Sequence, residues 1–243
     1  MASRRDVGAV LIDEGFLPLV ESQWTGDFTC DIPGDETDRA YWLAAQDAVD
    51  KATNLVSQAV ANGDVEHVSV FAIAPIPVLV YLGARLDDKV PARIYQRVRD
   101  SENAWRWNLS SEPVSFDFAA DTPGSAESED VVLCVSVSAP IDSARIPVNL
   151  TSAPRYSIGP DQVDPSPTLV SHPESVAAFA TTWRELLAHV ERTHPGKRWH
   201  VVAAVPVSIA VELGRAFMRE AQPPVTVYQR GNDQYFEALQ VNT

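Results

Sequence analysis

The sequence predicts an α/β fold of two tandem strand–helix–strand–helix–strand units, each with a parallel sheet, related by a pseudo-two-fold axis. Three observations carry that expectation: an internal repeat, an alternation of helical and β-branched apolar runs, and glycine and proline at equivalent places in both units. Residues 68–100 resemble residues 199–233. At a constant offset Val70, Ala72, Pro75, Leu82 and Gly83 match Val201, Ala203, Pro206, Leu213 and Gly214. After a short insertion Pro91, Tyr95, Gln96, Arg97 and Asp100 match Pro224, Tyr228, Gln229, Arg230 and Asp233.

The opening strand of the first unit has two candidates, residues 7–12 or 16–21. Residues 41–61 follow as an amphipathic helix, with Trp42, Ala45, Val49, Ala52, Leu55, Val56 and Ala59 on one face. Thr37 or Asp38 caps its start and Asn62-Gly63 stops it. Asp35, Glu36 and Asp38 read as a helix-entry cluster. A strand over 67–74 leads through Pro75 into a helix over 76–88, and a strand over 92–96 closes the unit. A pair of strands is expected around 105–108 and 114–118, and residues 125–130 (SAESED) connect the halves. The expected units are thus 1–124 and 125–243, together forming one domain.

The second unit opens with the β-branched run 131–138 (VVLCVSVS). Residues 147–173 are proline-rich and read as a long irregular segment. A helix then spans 173–193, with a Ser171/Glu174 capping box at its start and Pro195-Gly196 at its end. His189 and His194 are placed where a cation meets the helix dipole. A strand over 200–205, a helix over 207–220 and a strand over 225–229 complete the unit. Gly83 and Gly214 fall inside helices, where glycine costs stability and so points to close packing.

Composition bounds the function. The chain has 243 residues, 45% of them hydrophobic and 21% charged, which is ordinary globular usage. Two cysteines, Cys30 and Cys134, make no disulfide framework, so the cytoplasm is the expected compartment. The longest apolar run, 68–82, is too short for a membrane span and holds Pro75 and Pro77. The net charge of −14 argues against binding long nucleic acid, while leaving room for one small anion in a local pocket.

Ligands of open parallel sheets bind outside the carboxyl ends of the strands. That rule selects Pro75, Pro77, Gln96, Arg97 and Arg99 in the first unit, and Ser136, Ser138, Pro206, Ser208, Gln229 and Arg230 in the second. Trp105 and Trp107, just past the first Tyr-Gln-Arg, are candidates to stack on bases while the arginines meet phosphates. Tyr95 and Tyr228 read as packing residues. A Walker A loop, a G-x-G-x-x-G fingerprint and a G-x-S-x-G elbow are all missing from the sequence. The five histidines have no metal-ligand spacing, and no cofactor or metal is expected.

With these motifs the chain resembles the SAVED domain family, which is built from two fused CARF-like Rossmann units. The resemblance rests on FAIAPIPVLVYLGARL with VPARIYQRVRDSENAWRW, on VVLCVSVS, and on VVAAVPVSIAVELGRAF with VTVYQRGND. It implies a sensor that binds a cyclic di-, tri- or tetranucleotide second messenger in anti-phage CBASS or type III CRISPR defence. It further implies that binding drives self-association and activates an effector, either fused or separate. The strand-end residues above are the implied contacts. The alternative is a ring nuclease or another nucleotide-acting Rossmann-type enzyme. The strand ends offer no general base, which favours a sensor without chemistry of its own.

Overall fold

The structure, a computed structural model, describes residues 4–16, 32, 34–98 and 104–242. In chain order the elements are α1 (Arg4–Asp13), α2 (Arg39–Asn62), β1 (Val68–Val70), α3 (Ile76–Leu86), β2 (Ala92–Ile94), β3 (Phe116–Thr122) and β4 (Asp130–Ser136). There follow β5 (Arg155–Pro160), α4 (Pro173–Thr193), β6 (Arg198–Ala204), α5 (Val207–Arg215), β7 (Val225–Arg230) and β8 (Tyr235–Val241).

A six-stranded sheet runs in the order β3-β5-β4-β6-β7-β8, and β1 pairs with β2 in a separate parallel sheet. The inner strands β5, β4, β6 and β7 are mutually parallel. β3 and β8 close the edges antiparallel. Sequence explains the layering. β4, and β6 apart from His200, are apolar runs buried on both faces, as inner parallel strands tend to be. In β8 the buried residues Tyr235, Leu239 and Val241 are separated by more exposed ones, the pattern of an edge strand.

The repeated helices meet at their glycines. A Cβ built on Gly83 would lie 2.0 Å from the Val211 carbonyl oxygen, and one on Gly214 would lie 1.9 Å from that of Val80. The relation is reciprocal: Gly83 also faces the Arg215 nitrogen, and Gly214 that of Ala84. Backbone therefore touches backbone at the crossing of α3 and α5, which only glycine permits. The main core extends across this crossing, joining Leu79, Val80 and Ile94 to Val135, Trp183, Val211 and Leu213. Trp183 Nε1 donates to the Leu213 carbonyl at 3.1 Å and fixes α4 on α5. On the other side of α3, Asp50 of α2 accepts from Tyr81 Oη at 3.0 Å and pairs with Arg85 at 2.7 Å.

Several expectations are corrected. Residues 7–12 lie in α1, so they are not the opening strand; the other candidate, 16–21, falls outside the described residues apart from Phe16. Residues 105–108 form turn and loop. The proline-rich 147–173 contains β5, whose Tyr156 and Ile158 alternate into the core. β8 was not anticipated. β3 hydrogen-bonds into the sheet of the second repeat although it precedes residue 125. α5 stops at Arg215 rather than 220, because the Gln222 side chain takes the Met218 N–H at 2.9 Å and turns the chain.

The caps are partly as expected. Asp38 caps α2, accepting from Ala40 N, and Gly63 ends it at φ 78°. For α4 the cap is His172, whose Nδ1 accepts from Glu174 N, and Ser171 instead bonds Ser111. His194 is the C-cap of α4, its backbone N–H on the Val190 carbonyl. Burial, with Lys197 and His189 nearby, lowers its pKa, and its Nε2 meets Tyr156 Oη at 2.9 Å.

Candidate ligand-binding site

β1 and β6 lead into α3 and α5, and Gln96, just past the end of β2, meets the start of α5. Pro75 is the N-cap of α3 and Pro206 that of α5; neither start has a side-chain cap. Their fixed φ suits the first helical turn. Pro77 and Pro206 are buried and shape these turns.

The structure joins Gln96 to Ser208 across the two repeats. Gln96 Oε1 accepts from Ser208 N at 3.1 Å and from Ser208 Oγ at 2.9 Å, while Gln96 Nε2 donates to the Arg97 carbonyl at 2.8 Å. Both side chains are buried. This contact ties the end of β2 to the start of α5 and holds Arg97 beside it. The equivalent contact is missing in the other direction. The position matching Ser208 is Pro77, which has no N–H, and Gln229 instead donates to Glu36 Oε2 at 2.6 Å.

Arg97 and Arg230 are both exposed, and neither has an ion-pair partner among the described residues. In a chain of net charge −14 that is unusual for two arginines at matching strand ends. Ser136 Oγ accepts from Ile141 N at 3.2 Å, and Ser138 N donates to the Ala204 carbonyl at 2.7 Å, which sets these serines between the ends of β4 and β6. Arg99 lies outside the described residues.

Sequence reasoning missed Arg145 and Glu36 as neighbours of this edge. Arg145 Nε donates to the Asp233 carbonyl at 3.2 Å and its Nη2 to that of Asn232, clasping the turn that follows Arg230. Arg145 and Arg230 both act on the Tyr235 hydroxyl, lowering a pKa that burial raises. Arg145 lies between β4 and the proline-rich stretch and has no repeat partner, so nothing in the sequence marked it.

The tryptophans are corrected. Trp105 is 1% exposed, packed with Val10 and Tyr95 and edge-on to Phe71 at 5.4 Å, so neither ring face is open to a base. Trp107 is half-buried, packs against the Val10, Tyr95 and Trp105 cluster and lies near His67 and Pro91. Tyr95 and Tyr228 are packing residues as expected. Burial raises the Tyr95 hydroxyl to about 12, helped by its bond to Glu14. Tyr228 is raised mainly by burial and bonds His200 at 3.0 Å.

Among the described residues no cluster of His, Cys, Asp and Glu could hold a metal ion. No helix among them is long and apolar enough to cross a membrane. Arg97, beside the Gln96–Ser208 contact, and Arg230, at the end of β7, each offer an exposed guanidinium, whose fork of N–H donors suits a phosphate.

Residues 49–241 match the family model described as SAVED, the SMODS-associated and fused to various effectors sensor domain. No curated protein sequence matches the chain. Solved structures with a similar fold include the Cap4 SAVED/CARF-domain containing receptor of Acinetobacter baumannii with the cyclic trinucleotide 2'3'3'-cAAA, at TM-score 0.65 and 11% identity over 85% of this chain and 44% of that one. The same receptor with 3'3'3'-cAAA gives TM-score 0.66 and 10% identity over 89% and 48%. The Cap4 receptor of Moraxella osloensis gives 0.58 and 10% over 84% and 43%. The chain thus spans less than half the length of each of these receptors.

Proposed function

This chain belongs to the SAVED family of sensor domains, and we propose that it binds a cyclic oligonucleotide at the edge carrying Arg97 and Arg230. The observation that supports this reading is the pair of exposed, unpartnered arginines at matching strand ends. Each presents a planar fork of N–H donors that fits a phosphate in bidentate fashion. A ring with one phosphate per nucleotide needs only a few such donors, so an acidic surface is no obstacle. That same surface repels long nucleic acid, whose affinity depends on many phosphate contacts.

Two further steps belong to the proposal. Occupancy draws the edge residues of both repeats onto one ligand, and this change of state promotes self-association. Self-association then switches an effector, fused or separate, in a defence system of the CBASS or CRISPR kind. The domain itself does no chemistry on the ring.

A thermal-shift panel of cyclic di-, tri- and tetranucleotides tests the reading. A ligand at about a hundredfold over its dissociation constant stabilises a fold by about 2.7 kcal/mol, a readable shift. One strong hit, recovered uncut by chromatography and accompanied by faster sedimentation, is the expected result. A flat panel refutes the reading, and linear products from the hit would make the domain an enzyme.

A further inference from the structure

The two repeats differ at a buried position beside the tyrosine of Tyr-Gln-Arg. At the constant offset of the repeat Ser69 matches His200, and Tyr95 matches Tyr228. In the first repeat the Tyr95 hydroxyl bonds Glu14. In the second, Tyr228 Oη lies 3.2 Å from Glu237 Oε1 and 3.0 Å from His200 Nδ1. His200 Nε2 in turn lies 3.0 Å from Asp130 Oδ1, which also accepts from Arg198 Nε at 2.7 Å. One chain of hydrogen bonds thus joins β4, β6, β7 and β8 through His200, 7% exposed, and Tyr228, 1% exposed.

A bulge builds this chain. Val227 pairs with Leu239, yet Tyr228 pairs with Glu237, so Ala238 is passed over. The extra residue re-aims the side chains of β8. Without it, Ala238 would stand across from Tyr228 and no carboxylate would reach the hydroxyl.

Counting protons shows what the chain can do. A carboxylate only accepts, so His200 Nε2 carries a proton toward Asp130. Burial works against the Asp130 charge, and the bonds from Arg198 and His200 overcome it and lower its pKa. Burial, with Glu237 close by, keeps the Tyr228 hydroxyl protonated. That hydroxyl has one proton and two neighbours that can take it. When His200 is neutral, Nδ1 is an acceptor and the Tyr228 O–H points to it. When His200 is protonated, Nδ1–H donates to Tyr228 Oη, and the tyrosine proton turns to Glu237.

The remaining charges around His200 are few. Glu129 lies 3.5 Å from Arg198, and Arg155 of β5 is separated from His200 by Val132, which pairs with both. The segment over this face brings Leu150 and Ala153 to the cluster that holds Tyr228, and neither titrates. Imidazole is the side chain that ordinarily changes charge near neutral pH.

We propose that His200 is a proton switch at the β7–β8 edge: protonation turns the Tyr228 hydroxyl from His200 to Glu237 and ties β8 to β7, and deprotonation releases that tie. Ser69 does not titrate, so the switch belongs to the second repeat alone. It uses neither Arg97 nor Arg230 and does not rest on the sensor reading.

Nitrogen NMR of the His200 ring, followed through a pH titration, tests the proposal in the unmodified chain, Glu237→Ala, Tyr228→Phe and the double variant. In the unmodified chain the neutral ring carries its proton on Nε2. Glu237→Ala lowers the titration midpoint by about half a pH unit, the scale of one solvent-exposed charge partner. In the Tyr228→Phe background the same substitution leaves the midpoint in place, because the relay is already cut. Equal shifts in both backgrounds would make Glu237 a plain charge at a distance and overturn the proposal. A neutral ring protonated on Nδ1 would also overturn it, as would a ring that stays neutral from about pH 9 to about pH 5. Both of those results are read on the unmodified chain and stand even where Tyr228→Phe does not fold.

Discussion

At the scale of single residues, Gln96 and Ser208 show how one repeated motif takes two roles. Tyr-Gln-Arg recurs in the sequence, and its two glutamines read alike. Their environments part because Ser208 has an N–H and a hydroxyl to give, while its counterpart Pro77 has neither. Gln96→Ala therefore strands two buried donors, and we expect a loss of about 1–3 kcal/mol in urea unfolding. Gln229→Ala, at a partly exposed position, should cost far less. Equal losses would mean that the inter-repeat contact is not what holds Gln96. The histidines give a pH signature. His67 and His194 both have lowered pKa values through burial, so the folded state binds their protons less readily than the unfolded chain. Stability should fall as the pH drops below their ordinary value of 6.5. His194→Gln should flatten that slope, which denaturation midpoints on either side of the value would reveal.

At the scale of elements, the α3–α5 crossing was the most legible feature. Glycine inside an apolar helix at the same place in both repeats has one economical cause, backbone contact, and each glycine indeed meets the other helix's carbonyl. Gly83→Ala or Gly214→Ala should destabilise the fold by about 1–3 kcal/mol or more, despite the gain of about 1 kcal/mol in helix propensity. Stabilisation by either substitution, read from thermal melts, would contradict the crossing. Long amphipathic helices were equally legible, and α4 has the expected bounds. Short strands were not. β5 hides among prolines that bracket rather than break it, and β8 shows alternation too brief to stand out from a loop. The residues 7–12 misled because a short apolar run has no period long enough to tell strand from helix.

At the scale of the whole molecule, the repeat made the candidate edge readable and the tryptophans did not. Arg97 and Arg230 were selected because the rule for parallel sheets applies to both units and the residues match. Trp105 and Trp107 were chosen by nearness in sequence, but Trp105 is buried in a core with Val10 and Tyr95, and Trp107 packs against that core. Arg145 reached the edge through a loop whose path only the fold discloses. The central claim is that the matching arginines grip one cyclic ligand. Titrating the strongest ligand of the panel into the unmodified chain, Arg97→Ala and Arg230→Ala tests it most directly. Each substitution should weaken binding by about 1–3 kcal/mol while the melting temperature without ligand stays unchanged. Undiminished affinity in both variants would place the ligand elsewhere and contradict the account.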